Sequence, residues 1–165
     1  MNVALYVDGE YLHSAAYHWG VEHGVKRAKA DYQRLMSLAM DQDEGLAVVT
    51  VARIYLAPGD HSRTAGFVRR LKRMAYEVTL IERKQVSRDI CAKIAADINQ
   101  DVWEYEPDAV VIVTGNGLLA PLCRALAKRT KVMVVAFEGS LSTSLKESCT
   151  QVKHLTLDEI YDASK

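Results

Sequence analysis

A chain of 165 residues, 49% of them hydrophobic, is long enough for one well-packed domain and too short for two ordinary ones, so residues 1–165 are read as a single unit. Lysine plus arginine equals aspartate plus glutamate at 21 each, so no global field draws the chain to nucleic acid or membrane, and affinity for a polyanion has to come from a local patch. Cys91, Cys123 and Cys149 are widely spaced and form no CxxC, which argues against a disulfide framework or zinc site and fits reduced thiols in a cytoplasmic compartment. No apolar run approaches the roughly 18 residues of a membrane span, and no basic leader precedes Asp8, so neither membrane insertion nor export is expected.

Asn2 to Val7 is a nearly continuous apolar run, the mark of a strand covered on both faces, and Asp8-Gly9 breaks it. Tyr11 to Trp19 reads as a helix, and Asp31 can cap a second one striped by Leu35, Met36, Leu38 and Ala39. Leu46 to Ala57 is a β-branched strand ending in Pro58-Gly59, followed by a helix over Ser62 to Met74 and a short strand over Glu77 to Glu82. Ser87 to Trp103 has the clearest helical period, with Ile90, Ile94, Ile98 and Val102 four residues apart, and Pro107 cannot continue it. Ala109 to Val113 is a strand, Leu118 to Arg129 a helix and Lys131 to Phe137 a strand. A short helix around Leu145, a strand at Val152 to Leu155 and a terminal helix from Asp158 complete the chain. Strands and helices alternating at this spacing predict an α/β fold, a mostly parallel sheet with helices on both faces.

In such sheets ligands bind beyond the carboxyl ends of the strands, where the order of connection reverses. Asp8 follows the first strand and Asn116 follows the Ala109 to Val113 strand, so both can face one cleft. On a wheel of roughly 100° per residue counted from Ile90, Asp97 falls at about −20°, on the border of the apolar stripe, while Asp89 falls on the solvated side. Each has a plain structural alternative: Asp8 as a turn former, Asp97 as an ion-pair partner of Lys93, and Asn116 as a residue supplying left-handed geometry between Gly115 and Gly117. TGNGLL is a weak anion-site signal that matches neither a Walker loop nor GxGxxG. Cys91 lies within the stripe and reads as core, and His13, His18 and His23 read as surface or boundary residues.

The segments VALYVDGEYLH, VARIYLAPGD with FVRRLKRMAYEV, CAKIAAD, VVIVTGNGLLAPL and SLKESCTQVKHL together resemble an NYN domain, a branch of the PIN-like nuclease superfamily, along essentially the full chain. The resemblance implies a three-layer sandwich and clustered carboxylates that hold Mg²⁺ or Mn²⁺ to activate water against an RNA phosphodiester, hard cations that need oxygen ligands. It assigns Asp8 and Asp97 as metal ligands and, with Asn116, as catalytic positions. Departures accompany the matches. Tyr11 stands where the family usually has asparagine, and Cys91, Asn116 and Leu118 stand where it usually has acids, with Glu10 and Asp89 as candidate substitutes. At about 4 Å and an effective dielectric near 20, each lost carboxylate removes roughly 4 kcal/mol of attraction per unit of metal charge, so metal binding is expected to be weak or absent.

Arg69 and Arg70, in a run from Arg63 to Arg73, together with Arg53, Lys84 and Arg88, are candidate nucleic-acid contacts, although a solvated helix face is the usual explanation of such a run. Trp19, Tyr17 and Tyr32 are candidates for an interface, including one between copies of this chain. Two functional classes remain open: a catalytically weak or silent member that binds RNA or a protein partner, which the missing acids favour, and a metal-dependent endoribonuclease with a reduced acidic site.

Overall fold

The computed structural model describes residues 1–25, 28–43, 45–57, 65–82 and 86–162. In chain order these form β1 (Asn2–Asp8), α1 (Gly9–His23), β2 (Lys29–Ala30), α2 (Tyr32–Met40), β3 (Asp41–Gln42), β4 (Gly45–Leu46), β5 (Val48–Leu56), α3 (Ala65–Arg73) and β6 (Glu77–Leu80). There follow α4 (Val86–Tyr105), β7 (Ala109–Val113), a 3-10 turn (Gly117–Leu119), α5 (Ala120–Leu126), β8 (Lys131–Phe137), α6 (Thr143–Ser148), β9 (Gln151–Leu155), α7 (Leu157–Ile160) and β10 (Tyr161–Asp162). Pro58-Gly59 and the expected start of the third helix at Ser62 lie outside the described residues.

Six strands form one parallel sheet in the order β6-β5-β1-β7-β8-β9. The chain builds outward from β1 in one direction and then starts again from β7 in the other, so the reversal falls between β1 and β7. Every residue of β7 is buried, as is β1 from Val3 to Asp8, which is why both read as unbroken apolar runs. The β1–β5 register slips between Val3 and Ala4, so that Asp8 ends up beside Tyr55.

Alternation along the strands sorts side chains into two layers. Val3, Leu5, Val7, Val111 and Val135 pack with Leu12, Trp19, Leu35 and Leu71 of α1, α2 and α3. Ala4, Tyr6, Tyr55, Ile112 and Val134 pack with Ile90, Ile94 and Ile98 of α4, Cys123 of α5 and Leu145 of α6. The result is a three-layer α/β/α sandwich. Among the described residues no helix is long and apolar enough to cross a membrane.

Three expectations need correcting. The helix expected over Leu118 to Arg129 is a 3-10 turn followed by the shorter α5, because Asn116 caps the turn and the chain leaves the helix after Leu126. The terminal helix is only Leu157–Ile160, and the chain then becomes β10, which pairs antiparallel with β2. Trp19 is 4% exposed and no interface residue: its indole N–H donates to Asp158 at 2.8 Å, and His23 stacks on it at 4.0 Å. Tyr32 packs edge-on to Phe67 and Tyr76, which leaves Tyr17 as the exposed member of the three.

Candidate functional site

Asp8 ends β1 at the point of reversal and is the N-cap of α1, its Oδ1 accepting the Tyr11 N–H at 3.1 Å. Gly9 opens the helix because a side chain there would run into the Tyr55 carbonyl and Leu56. The second Asp8 oxygen accepts the Thr114 hydroxyl at 2.9 Å from just beyond β7. Asp8 is 4% exposed, and burial pushes its carboxyl above the ordinary carboxylate value, the two hydrogen bonds opposing that shift. The Cys91 thiol of α4 is pushed up to about 12, mainly by burial and secondarily by Asp8, which makes it a core group and an inert one.

The mouth of the crevice is covered by an aromatic group. Tyr11 stacks on Phe137 with ring centroids 5.7 Å apart. The Phe137 N–H donates to the Tyr11 oxygen at 2.9 Å, the Tyr11 hydroxyl lies 2.6 Å from Ser140 Oγ, and Ser140 Oγ donates to the Phe137 carbonyl at 3.2 Å. With Tyr11 as donor to Ser140, these bonds close a ring that ties α1 to the end of β8. Gly115 lies beneath, where a Cβ would collide with the Ser140 carbonyl and press on the Tyr11 ring. The glycine serves close approach of two segments. Asn116 is extended at φ −81° and not left-handed as expected, and its Oδ1 accepts the Leu118 N–H at 3.0 Å. That bond also occupies the N–H that the anion-site reading of TGNGLL needed. Leu118 stands exposed at the rim.

Asp97 shares no partner with Asp8. Its carboxylate accepts the Tyr55 hydroxyl at 2.8 Å and the Lys93 ammonium at 2.8 Å, so the i−4 ion pair anticipated from spacing is present. Asp101, one turn further along α4, accepts the Tyr6 hydroxyl at 2.8 Å and two guanidinium N–H groups of Arg53 at 2.7 and 2.8 Å. Arg53 also meets Glu77 at 2.7 Å. As a nucleic-acid contact Arg53 therefore has to be corrected, since its fork is engaged by the buried Asp101 and by Glu77 at the surface. Tyr6 and Tyr55 have strongly raised hydroxyl values, chiefly through burial and then through the carboxylates they donate to.

Of the remaining basic candidates, Arg69 and Arg70 lie exposed on α3, Arg70 over the Phe67 ring at 5.6 Å, and Arg88 is exposed in the first turn of α4. Lys84 lies outside the described residues. Sequence reasoning missed Thr114, the closing role of Tyr11, and the partnership of Tyr6, Tyr55 and Asp101. Among the described residues no three His, Cys, Asp or Glu side chains converge as a metal site would require.

The NYN domain family model matches residues 2–156. A crystal structure of a protein of unknown function from Vibrio parahaemolyticus is similar in fold, with a TM-score of 0.72 and 21% identity, covering 98% of this chain and 96% of that one. No curated protein matches the chain.

Proposed function

From the premise that the chain belongs to the NYN domain family, of the PIN-like nuclease superfamily, we propose that it binds RNA without cutting it. The observation that carries this reading is the closed crevice at the strand reversal, where Tyr11 is locked to Phe137 and Ser140 above an Asp8 whose two oxygens already have partners. The Mg²⁺ or Mn²⁺ chemistry of the family needs several converging hard oxygens. The residues present do not fit it. Asp97 is held by Tyr55 and Lys93, the Asn116 oxygen is held by the Leu118 N–H, and the raised Asp8 carboxyl arises from burial more than from neighbouring acids. RNA is favoured over a protein partner by the exposed cations. Arg69, Lys72 and Arg73 project from α3 without an ion pair among the described residues.

The test is to incubate labelled single-stranded and hairpin RNA with the protein, in Mg²⁺, Mn²⁺ or EDTA, beside Asp8→Asn. Intact RNA in every lane, bound with a strong salt dependence, is the expected result. Metal-dependent cleavage abolished by Asp8→Asn would replace this reading with a working nuclease of reduced site. A melting curve adds a second readout: an ion at a hundred times its dissociation constant stabilises by about 2.7 kcal/mol, and no upward shift is expected with Mn²⁺.

A further inference from the structure

At the opposite end of the sheet from the closed crevice, beside the N-termini of β7, β8 and β9, Pro107, Asp108, Ala127, Arg129, Thr130, Lys131 and Thr150 line an open groove of about 560 Å³. Trp103, in the last turn of α4, is 75% exposed, and the Arg129 guanidinium sits over its ring at 5.3 Å. An indole this exposed contributes little to the core, and the cation laid on it extends the flat surface toward the groove. Lys128, Arg129 and Lys131 have no ion pair among the described residues. We propose that Trp103, Arg129 and Lys131 form a subsite for single-stranded RNA, a base stacking on the indole while the two cations take neighbouring phosphates.

This inference rests on the RNA-binding reading and says where on the molecule the strand lies. An aromatic face beside unpaired cations is the combination that holds single strands without reading their sequence, since every base has a stacking face and every nucleotide a phosphate. Glu104, Glu106 and Asp108 stand exposed close by. Of these, Asp108 accepts the Asn2 N–H at 2.7 Å. These acids keep the surface from being uniformly positive, so a few phosphates are bound and not many. Asp108 also leaves an acceptor at the groove wall for a base amino group.

The chain has two tryptophans, and Trp19 is buried, so quenching of the exposed indole reports on Trp103 directly. The full chain is titrated with an octamer of adenylate RNA, following tryptophan emission and the anisotropy of a labelled strand. Quenching on binding is expected, with affinity weakened about 5- to 150-fold in Trp103→Ala. Arg129→Ala with Lys131→Ala should make the log affinity against log salt slope shallower by roughly 1.4. Unchanged melting curves are expected, because the replaced side chains are at the surface. Binding that survives both variants but is lost in Arg69→Glu with Arg70→Glu would overturn this subsite and leave the RNA-binding reading standing. No binding of any RNA would overturn both. Equal quenching by a polyglutamate peptide would also overturn it, marking the groove as a site for acidic protein segments.

Discussion

Asp101 and Asp8 are both buried on the α4 side of the sheet, yet Asp101 is met by a guanidinium and a phenol, whereas Asp8 is met by a backbone N–H and a threonine hydroxyl. A buried carboxylate is tolerated when a cation and good hydrogen bonds replace its water. The middle of the α4–sheet interface meets that condition twice, through Arg53 with Asp101 and Lys93 with Asp97, and there the acids fasten a helix to strands. The crevice does not meet it, and its acid carries the cost of burial in its raised carboxyl value. Position alone would have nominated Asp8 and Asp97 as one pair of ligands. Their surroundings separate them into a helix cap and a structural anchor.

Removing the anchor tests the contrast most severely. Asp101→Leu leaves Arg53 with Glu77 as its one remaining carboxylate and strands the buried Tyr6 hydroxyl, and is expected to destabilise by about 3–5 kcal/mol, read from urea denaturation. Tyr55→Phe deletes one donor to the Asp97 carboxylate and should cost about 1.5–3 kcal/mol by the same measurement. At the crevice, Gly115→Ala forces a methyl group against the Ser140 carbonyl, for about 1–3 kcal/mol, and should loosen the Tyr11 closure, seen as a change in near-UV circular dichroism.

Asp8→Asn should have the smallest effect and the opposite sign. Asparagine caps a helix about as well as aspartate, so the Tyr11 bond survives. Burial raises the Asp8 carboxyl, so the folded protein holds that proton more tightly than the unfolded chain, and the stability this contributes is full below about pH 3.9 and lost as pH rises through the folded value. The asparagine variant should therefore match or exceed the parent by up to about 1 kcal/mol at pH 7, an advantage that shrinks in acid. Equal pH profiles for the two proteins would show that Asp8 is not the uncompensated acid described here.

The sandwich was legible because β7 is wholly apolar, β1 and β8 are apolar but for their end residues, and α4 repeats isoleucine every four residues, signals that survive without tertiary context. β2, β3, β4 and β10 are two residues long each and carry no period to detect. The site was half legible. The placement of Asp8 follows from its position after a buried strand, but nothing local says that Tyr11 reaches across to Phe137 and Ser140, more than 120 residues away in sequence. Asp101 was legible and overlooked: counted from Ile90 it falls at about 20°, inside the apolar stripe, and a charge there announces a buried partner. That partner, Arg53, lies on β5, and the sequence shows its charge without showing the neighbour that engages it.

The short α7–β10 segment has a consequence for how the chain acquires its structure. Ile160 accepts the Asp31 N–H, Tyr161 donates to Leu12 at 2.6 Å, Asp158 receives the Trp19 indole, and β10 pairs with β2, so residues 157–162 finish a layer begun by the first forty. During synthesis the α4 face waits for β1 to meet β7 and α4, about a hundred residues on, and the α1 face waits longer still, for a closure spanning about 140 residues, the kind of long loop that slows folding. In the interval Trp19 and Leu12 lack their cover, which makes the unfinished α1 face, and not the sheet, the vulnerable surface of the nascent protein.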